Sequence, residues 1–203
     1  MQQVGLKLNN IILSSVLRSC SNPNDLENGS RVHAYIINVG HESNVTVGNS
    51  LVVIYARCII VSASLMFNGM REPNIISWTV IIAGNTQNGS GDEALERFFQ
   101  MQGLGMNMDL FVVVCVLHAC VSQGALKPGK QIQAFIIKSG LELEVFVGNI
   151  VIDLYAKCSD IDDARKVFDT VIVHDLVSWN AIFVLVIRIL CYINSHIILI
   201  IIY

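Results

Sequence analysis

The stretch "VGNSLVVIYARC" at Val47–Cys58 returns as "VGNIVIDLYAKC" at Val147–Cys158, one hundred residues further along the chain. Val, Gly, Asn, Tyr, Ala and Cys occupy matched places in both copies. Self-similarity at a fixed period is typical of repeat architectures. The echo extends over most of the chain, because Gly29 matches Gly129 in the same way. The sequence therefore predicts an internally repeated protein.

A shorter period lies within the hundred-residue echo. A small residue recurs at separations of 34, 31, 35 and 35, at Gly29, Ala63, Ala94, Gly129 and Ala164. Each of these alanines is followed four residues later by a phenylalanine: Phe67, Phe98 and Phe168. Apolar spacing within a unit is helical, and turn residues such as "NGSGDE" separate two helical runs. We expect two antiparallel helices per unit, stacked into an all-α, α-solenoid fold with one concave, functional surface.

Composition favours a packed core and gives no global sign of a phosphate-binding protein. The chain has 203 residues, of which 53% are hydrophobic and 14% charged, and its net charge is −3. Its six cysteines include repeat partners, Cys20 with Cys120 and Cys58 with Cys158, and we interpret them as reduced thiols. The opening "MQQVGLKLNN" carries neither a signal peptide nor a transit pattern, so an organellar address would lie upstream or be absent.

Three longer stretches are specific enough to suggest a family: "NIISWTVIIAGNTQNGSGDEALERFFQMQGLGMNMD", "VLHACVSQGALKPGKQIQAFIIKSGLE" and "VFVGNIVIDLYAKCSDIDDARKVFD". They resemble the plant pentatricopeptide-repeat proteins, in the PLS subclass that cycles three motif types, P, L and S. The resemblance implies a truncated fragment with the following motifs: the end of a P motif at 1–9, L at 10–44, S at 45–74, P at 75–109, L at 110–144, S at 145–175, and the start of a P motif at 176–203.

The resemblance also implies a function and its residues. In the family, each repeat faces about one nucleotide of single-stranded RNA, which the fifth and last residues of the motif read. The implied reading pairs are Ser14 with Asn44, Asn49 with Asn74, Thr79 with Asp109, and Asn149 with Asp175, while Asn180 opens a further pair and Asn9 closes an earlier one. The implied footprint from 5′ to 3′ is adenine, cytosine or uracil, guanine, any base at Val114 and Glu144, and uracil.

Three alternatives stay open at this point. Asn and Asp at a motif boundary are also ordinary helix caps, which would explain these residues without RNA. A tetratricopeptide-like scaffold that binds a peptide would share the period, although its Trp, Leu-Gly and Tyr pattern is missing. A third possibility is a truncated gene product without function.

No catalytic or metal-binding motif emerges from the sequence. The deaminase-like extension of some family members needs a His-x-Glu element and a Cys-x-x-Cys pair, and neither is present. We therefore predict no enzyme activity, no cofactor and no metal. The resemblance implies an organellar RNA editing or processing specificity factor in the mitochondrion or chloroplast. Its partners would be single-stranded RNA and separate editing or processing proteins.

The C-terminal stretch departs from the family pattern. After "LVSWNA" the chain continues as "IFVLVIRILCYINSHIILIIIY", where a turn and a second helix are expected. The run is long enough to span a bilayer, but it contains Arg188, and a central Arg costs about 2.5–3.5 kcal/mol on insertion scales. We therefore expect no membrane partner and interpret 181–203 as a non-family apolar tail.

Overall fold

The computed structural model describes residues 8–20, 22, 25–106, 108–139, 145–171, 173–187 and 190. Every regular element among them is a helix, which confirms the predicted all-α class. The helices are α1 Asn10–Ser19, α2 Leu26–Asn38, α3 Val45–Cys58, α4 Ile60–Gly69, α5 Ile75–Gln87, α6 Gly91–Gly103, α7 Leu110–Gln123, α8 Leu126–Lys138, α9 Val145–Lys157 and α10 Ile161–Thr170. A further helix, α11, covers 176–187.

The chain divides into two compact units, and the division falls between Val112 and Val113 within α7. In the first unit, α3 packs along α4 and α5 packs along α6, so each connection reverses the chain direction. The first helices of successive pairs, α1, α3 and α5, also pack on one another. In the second unit, α9 packs along α10 and contacts α8. Each unit is therefore a stack of helix pairs, as in an α-solenoid.

Helix α3 is buried on most of its faces, whereas α6 is amphipathic. In α3 the buried side chains include Val47, Leu51, Val52 and Tyr55. In α6 the buried set lies on one face, and Asp92 and Glu93 occupy the first turn, where they suit the helix dipole. This arrangement places α3 in the core of the first unit, with Asn44 and Asn49 at its N-terminal end.

The recurring small residues lie where helices approach closely, as predicted. Ala63, Ala94 and Ala164 are fully buried. A Cβ added to Gly29 would lie 3.3 Å from Cγ2 of Ile54, so α2 contacts α3 without room for a larger side chain. The small residue therefore sets the distance between neighbouring helices.

From residue 10 to residue 175, each predicted motif interval contains one pair of helices in the part of the chain that the structure describes. The assignment of the intervals to P, L and S types stays a prediction. Of the predicted apolar tail, residues 188, 189 and 191–203 lie outside the described residues. Within the described ranges, none of the helices combines the length and the hydropathy needed to cross a bilayer.

Candidate nucleic-acid interface

The predicted closing residues of the repeats cap the helices that follow them. Oδ1 of Asn44 accepts the backbone N–H groups of Thr46 and Val47 at 3.1 and 3.2 Å. Oδ1 of Asp109 accepts the backbone N–H of Val112 at 2.9 Å. Asn9 does the same for Ile12 at 2.9 Å. Capping is thus an observed role of these side chains, and it leaves their second polar atom for another partner.

Two closing residues also contact the predicted fifth residue of their own repeat. In the first unit, Nδ2 of Asn49 donates to Oδ1 of Asn74 at 3.2 Å. The same Oδ1 accepts the backbone N–H of Ser77 at 3.1 Å. The hydroxyl of Ser77 donates to Oδ1 of Asn49 at 2.6 Å. We call Asn49, Asn74 and Ser77 the Asn49 cluster.

The second unit contains the same arrangement, in which Asn149 takes the place of Asn49 one hundred residues earlier. Nδ2 of Asn149 donates to Oδ1 of Asp175 at 3.0 Å. That oxygen also accepts the backbone N–H of Ser178 at 2.8 Å, and the Ser178 hydroxyl donates to Oδ1 of Asn149 at 2.6 Å. We call Asn149, Asp175 and Ser178 the Asn149 cluster. The two clusters differ in residue type only at the closing residue.

Burial decides which group of each cluster meets the solvent. Asn49 and Asn149 are 8% and 7% exposed, and both serines are fully buried. The closing residues Asn74 and Asp175, in contrast, are exposed. Because Oδ1 is already used in both clusters, the outer atom is the Nδ2 donor of Asn74 in one cluster and the second carboxylate oxygen of Asp175 in the other.

Hydrogen bonds keep the Asp175 carboxylate ionised. The backbone N–H of Ser178 is the largest cause that lowers the pKa of Asp175 below its ordinary value. Desolvation opposes it, and the side chains of Asn149 and Ser178 add to the lowering. Each of these donors stabilises the charged form. At neutral pH the side chain of Asp175 can therefore accept hydrogen bonds but not donate them, whereas the side chain of Asn74 offers a donor at the equivalent place.

The other two predicted pairs are not joined by a hydrogen bond in the described part of the chain. The Thr79 hydroxyl donates to the backbone oxygen of Ile75 at 2.7 Å, and Asp109 is exposed at the start of α7. Ser14 is 5% exposed, and its Oγ has no hydrogen-bond partner. Its predicted partner, Asn44, is half-buried. The role of these four residues in base reading stays a prediction.

The remaining predicted positions are placed as follows. Asn180 is exposed on α11, at the fifth position of that helix. Val114 is half-buried in α7, and Glu144 lies outside the described residues. Among the residues that the structure describes, no three His, Cys, Asp or Glu side chains are grouped closely enough to hold a metal ion. No disulfide bond joins any two of the five cysteines within those ranges.

Comparison with known proteins places the chain in a family. The model of the PPR repeat matches residues 76–106 and 149–175. A pentatricopeptide repeat-containing protein of Arabidopsis thaliana is 41% identical over 171 residues, which is 84% of this chain and 20% of that protein. The chain belongs to the pentatricopeptide-repeat family. The predicted family is thus confirmed by the match to the repeat model and by the identity with this relative.

Other relatives are also pentatricopeptide repeat-containing proteins of Arabidopsis thaliana. One named as mitochondrial is 36% identical over 183 residues, covering 90% of this chain and 18% of its own length. One named as chloroplastic is 34% identical over 177 residues, covering 87% of this chain and 20% of its own length. The chain therefore spans about a fifth of the length of these relatives.

A solved structure agrees on the pentatricopeptide-repeat fold. The crystal structure of the pentatricopeptide repeat protein PPR10 in complex with an 18-nucleotide psaJ RNA element superimposes with a TM-score of 0.63. The identity is 19%, and the match covers 82% of this chain and 25% of that chain. At this identity the likeness supports the fold alone, which is the predicted α-solenoid of helix pairs.

The structure adds two residues that the sequence reasoning did not select. Ser77 and Ser178 are the third residues of the repeats that follow Asn74 and Asp175, and each joins both members of the preceding reading pair. A signal was present in the sequence, because "ISW" and "VSW" place these serines 101 residues apart.

Proposed function

We propose that this chain binds single-stranded RNA and reads bases through the Asn49 and Asn149 clusters. One observation carries the proposal: the same three-residue hydrogen-bonded arrangement occurs in both units, at two of the four positions where the repeat pattern implies reading pairs. A capping role alone requires the closing residue and the backbone, but it does not require a buried Asn from the preceding first helix. Capping therefore does not explain the buried Asn, and base reading gives it a role.

The outer atoms of the two clusters match different bases. Uracil presents an N3–H donor on its Watson–Crick edge, whereas cytosine presents an N3 acceptor, and exposed single-stranded bases are read on such edges. The carboxylate oxygen of Asp175 can accept from uracil, and the Nδ2 group of Asn74 can donate to cytosine. Of the two bases that the sequence allowed at the Asn49 cluster, this chemistry favours cytosine.

The full proposed footprint contains five nucleotides. From 5′ to 3′ it is adenine at Ser14 and Asn44, cytosine at the Asn49 cluster, guanine at Thr79 and Asp109, any base at the next repeat, and uracil at the Asn149 cluster. Asn180 would begin the reading of one more base. Each repeat faces one nucleotide in this proposal, as in the helical-repeat RNA-binding proteins that use two or three side chains per base.

We further propose that the chain is part of an organellar specificity factor for RNA editing or processing, of the PLS subclass. Relatives named as mitochondrial and chloroplastic support an organelle, and they do not favour one over the other. The solved PPR10 complex supports RNA as the partner of this fold. In this role the chain selects an RNA site and leaves any reaction to separate proteins.

Fluorescence anisotropy with the whole chain tests the proposal. The RNA probe carries the proposed bases in order, and a control RNA of the same composition carries them in scrambled order. With base discrimination of about 1–3 kcal/mol per good contact, by analogy with DNA recognition, we expect the proposed RNA to bind at least tenfold more tightly. Equal binding of the two RNAs would contradict base reading. Saturable binding of a member of a peptide library, without RNA binding, would favour the peptide scaffold instead.

A further inference from the structure

We propose that Ser77 and Ser178 are positioning residues that determine base specificity by fixing the amide orientation of Asn49 and Asn149. This inference rests on the proposed function, since it concerns how the reading residues are held. Neither serine is exposed, so neither can contact a base directly. Their effect on recognition must therefore pass through the asparagines to which they are bonded.

The orientation of the Asn49 cluster begins at the backbone. The backbone N–H of Ser77 points at the side chain of Asn74 at 3.1 Å. Because a backbone N–H can only donate, the atom that faces it must be Oδ1 of Asn74 rather than Nδ2. The group of Asn49 that faces this oxygen at 3.2 Å must then be its Nδ2 donor.

The hydroxyl of Ser77 completes the arrangement. Its Oγ accepts the backbone N–H of Asn74 at 3.0 Å, and its own hydrogen is therefore available for Oδ1 of Asn49 at 2.6 Å. Asn49 is thus held at both ends of its amide, by Asn74 at the nitrogen and by Ser77 at the oxygen. The second hydrogen of Nδ2 and the second lone pair of Oδ1 are left for an RNA base.

The Asn149 cluster repeats the logic with one difference. The Asp175 carboxylate has no amide to invert, so Nδ2 of Asn149 must face it, at 3.0 Å. Oδ1 of Asn149 then accepts from the hydroxyl of Ser178 at 2.6 Å. The two clusters therefore hold Asn49 and Asn149 with the same amide orientation.

Removing the hydroxyl leaves the asparagine held at its nitrogen only. A buried carbonyl oxygen without a donor is unfavourable, and it can regain a partner only by rotating away from the arrangement shown here. A rotated amide presents its donor and acceptor at different places to the base. We therefore expect a loss of discrimination between bases, confined to the nucleotide that faces the altered cluster.

The test uses the whole chain with Ser77→Ala, Ser178→Ala and the matched control Ser50→Ala. Ser50 neighbours Asn49 and is also buried, but its hydroxyl donates to the backbone oxygen of Thr46. Affinities are measured for RNAs with cytosine or uracil at the second position and uracil or cytosine at the fifth. We expect Ser77→Ala to reduce the preference at the second position at least threefold and leave the fifth unchanged. Ser178→Ala should do the reverse, and Ser50→Ala should change neither.

The outcomes separate the two proposals. If Ser77→Ala weakens all RNAs equally and keeps the wild-type preference, the serine has a structural role only and the inference is wrong. If the wild-type chain itself shows no preference at either position, the proposed function fails. Should an alanine variant not fold, Ser77→Cys and Ser178→Cys keep a small side chain that can still donate, although weakly, and they must give intermediate preferences. Unchanged preferences in the folded cysteine variants would overturn the inference.

Discussion

Asn74 and Asp175 each form hydrogen bonds with two different parts of the chain. Through Oδ1, each caps the helix that follows and also accepts from an asparagine 25 or 26 residues earlier in the same repeat. The cap and the contact with the asparagine therefore use the same oxygen, which leaves the outer atom of each side chain for the proposed base reading. The two interpretations that the sequence left open are compatible at these two positions.

The closing residue should set the choice between cytosine and uracil. We predict that Asp175→Asn changes the preference at the fifth nucleotide from uracil to cytosine, because a donor replaces an acceptor at the outer position. Asn74→Asp should make the opposite change at the second nucleotide. Each change should be about tenfold, in line with the typical cost of one mismatched contact. Binding of RNAs that differ at one base measures both.

The same pair of variants contains its own stability control. Asn and Asp are about equally good N-cap residues, so the free energy of unfolding should change by less than about 0.5 kcal/mol. Urea denaturation followed by circular dichroism checks this value. A changed base preference together with a large loss of stability would point to a disturbed helix start rather than to base reading.

Thr79 offers a separate test of the reading set. We predict that Thr79→Asn moves the preference at the third nucleotide from guanine towards uracil, because it creates an Asn and Asp pair like Asn149 with Asp175. The hydroxyl of Thr79 donates to the backbone oxygen of Ile75, so its loss breaks a hydrogen bond within α5. Filter binding with the four bases at this position measures the effect. An unchanged preference would exclude Thr79 from base reading.

At the scale of helices, the contact between α3 and α5 depends on Gly84. A Cβ at this position would lie 2.8 Å from Cβ of Ala56, and alanine has no rotatable side chain that could relieve the clash. We predict that Gly84→Ala lowers the free energy of unfolding by about 1–2 kcal/mol. This value is the usual cost of overpacking, reduced by the higher helix propensity of alanine. Urea denaturation measures the loss.

Gly103 in α6 provides the matched control for this prediction. A Cβ there would meet no atom within 4 Å, and its backbone does not require glycine. Gly103→Ala should therefore leave stability unchanged or raise it by up to about 0.5 kcal/mol. A similar loss in both variants would mean that the close approach of α3 and α5 is not the cause.

An ionic network joins α8 to α10. Nζ of Lys130 donates to Asp160 and Asp163 at 2.8 and 2.7 Å, and it lowers the pKa of Asp163 to about 2, with a further contribution from Lys166. Because the folded pKa is lowered, the stabilising effect is complete above the ordinary value of 3.8 and is lost as the pH falls through about 2. We predict that Lys130→Gln raises the pKa of Asp163 towards 3.8.

A carboxyl titration by NMR measures that change. Lys157→Gln is the control, because Lys157 pairs loosely with Asp153 on α9 at 3.8 Å. It should leave the titration of Asp163 unaltered. The difference in stability between Lys130→Gln and the unaltered chain should be constant from pH 7 to pH 5 and should shrink at more acid pH. An unshifted Asp163 pKa in Lys130→Gln would contradict the network.

At the scale of the whole molecule, repeat-equivalent side chains have different surroundings in the two units. Trp78 is 5% exposed, whereas Trp179, its equivalent on α11, is 48% exposed. A broad stripe of large exposed apolar side chains runs along α11: Leu176, Val177, Trp179, Phe183, Val184, Val186 and Ile187. Contiguous exposed apolar surface of this kind promotes association.

We therefore predict that Phe183→Gln combined with Val186→Asn reduces self-association of the whole chain. Both side chains are more than 40% exposed, so stability should change by less than about 0.5 kcal/mol. Light scattering against protein concentration measures the effect. Leu104→Gln, which alters an exposed apolar residue at the end of α6, is the control and should leave association unchanged. Equal association of all three proteins would exclude the stripe on α11.

Much of the fold could be predicted from the sequence, because repetition makes each local pattern visible more than once. The helix pairs and the small residues between them follow from the spacing of Ala63 and Phe67 and their later copies. The site was only partly predictable. Asn49 and Asn74 were predicted as a pair, and their side chains are hydrogen-bonded. The hydroxyl that donates to both comes from Ser77 in the next repeat, and only the three-dimensional structure shows this contact.

The dual use of Asn74 and Asp175 has a consequence for how such arrays change over evolutionary time. The side chains that best begin a helix are Asn, Asp, Ser and Thr. An exchange within this group alters the pattern of donors and acceptors while the following helix keeps its start. Under the proposed base reading, single substitutions would therefore change the preferred RNA sequence without a passage through an unstable intermediate. The residue types that would distinguish bases at this position are all residue types that can also begin the following helix.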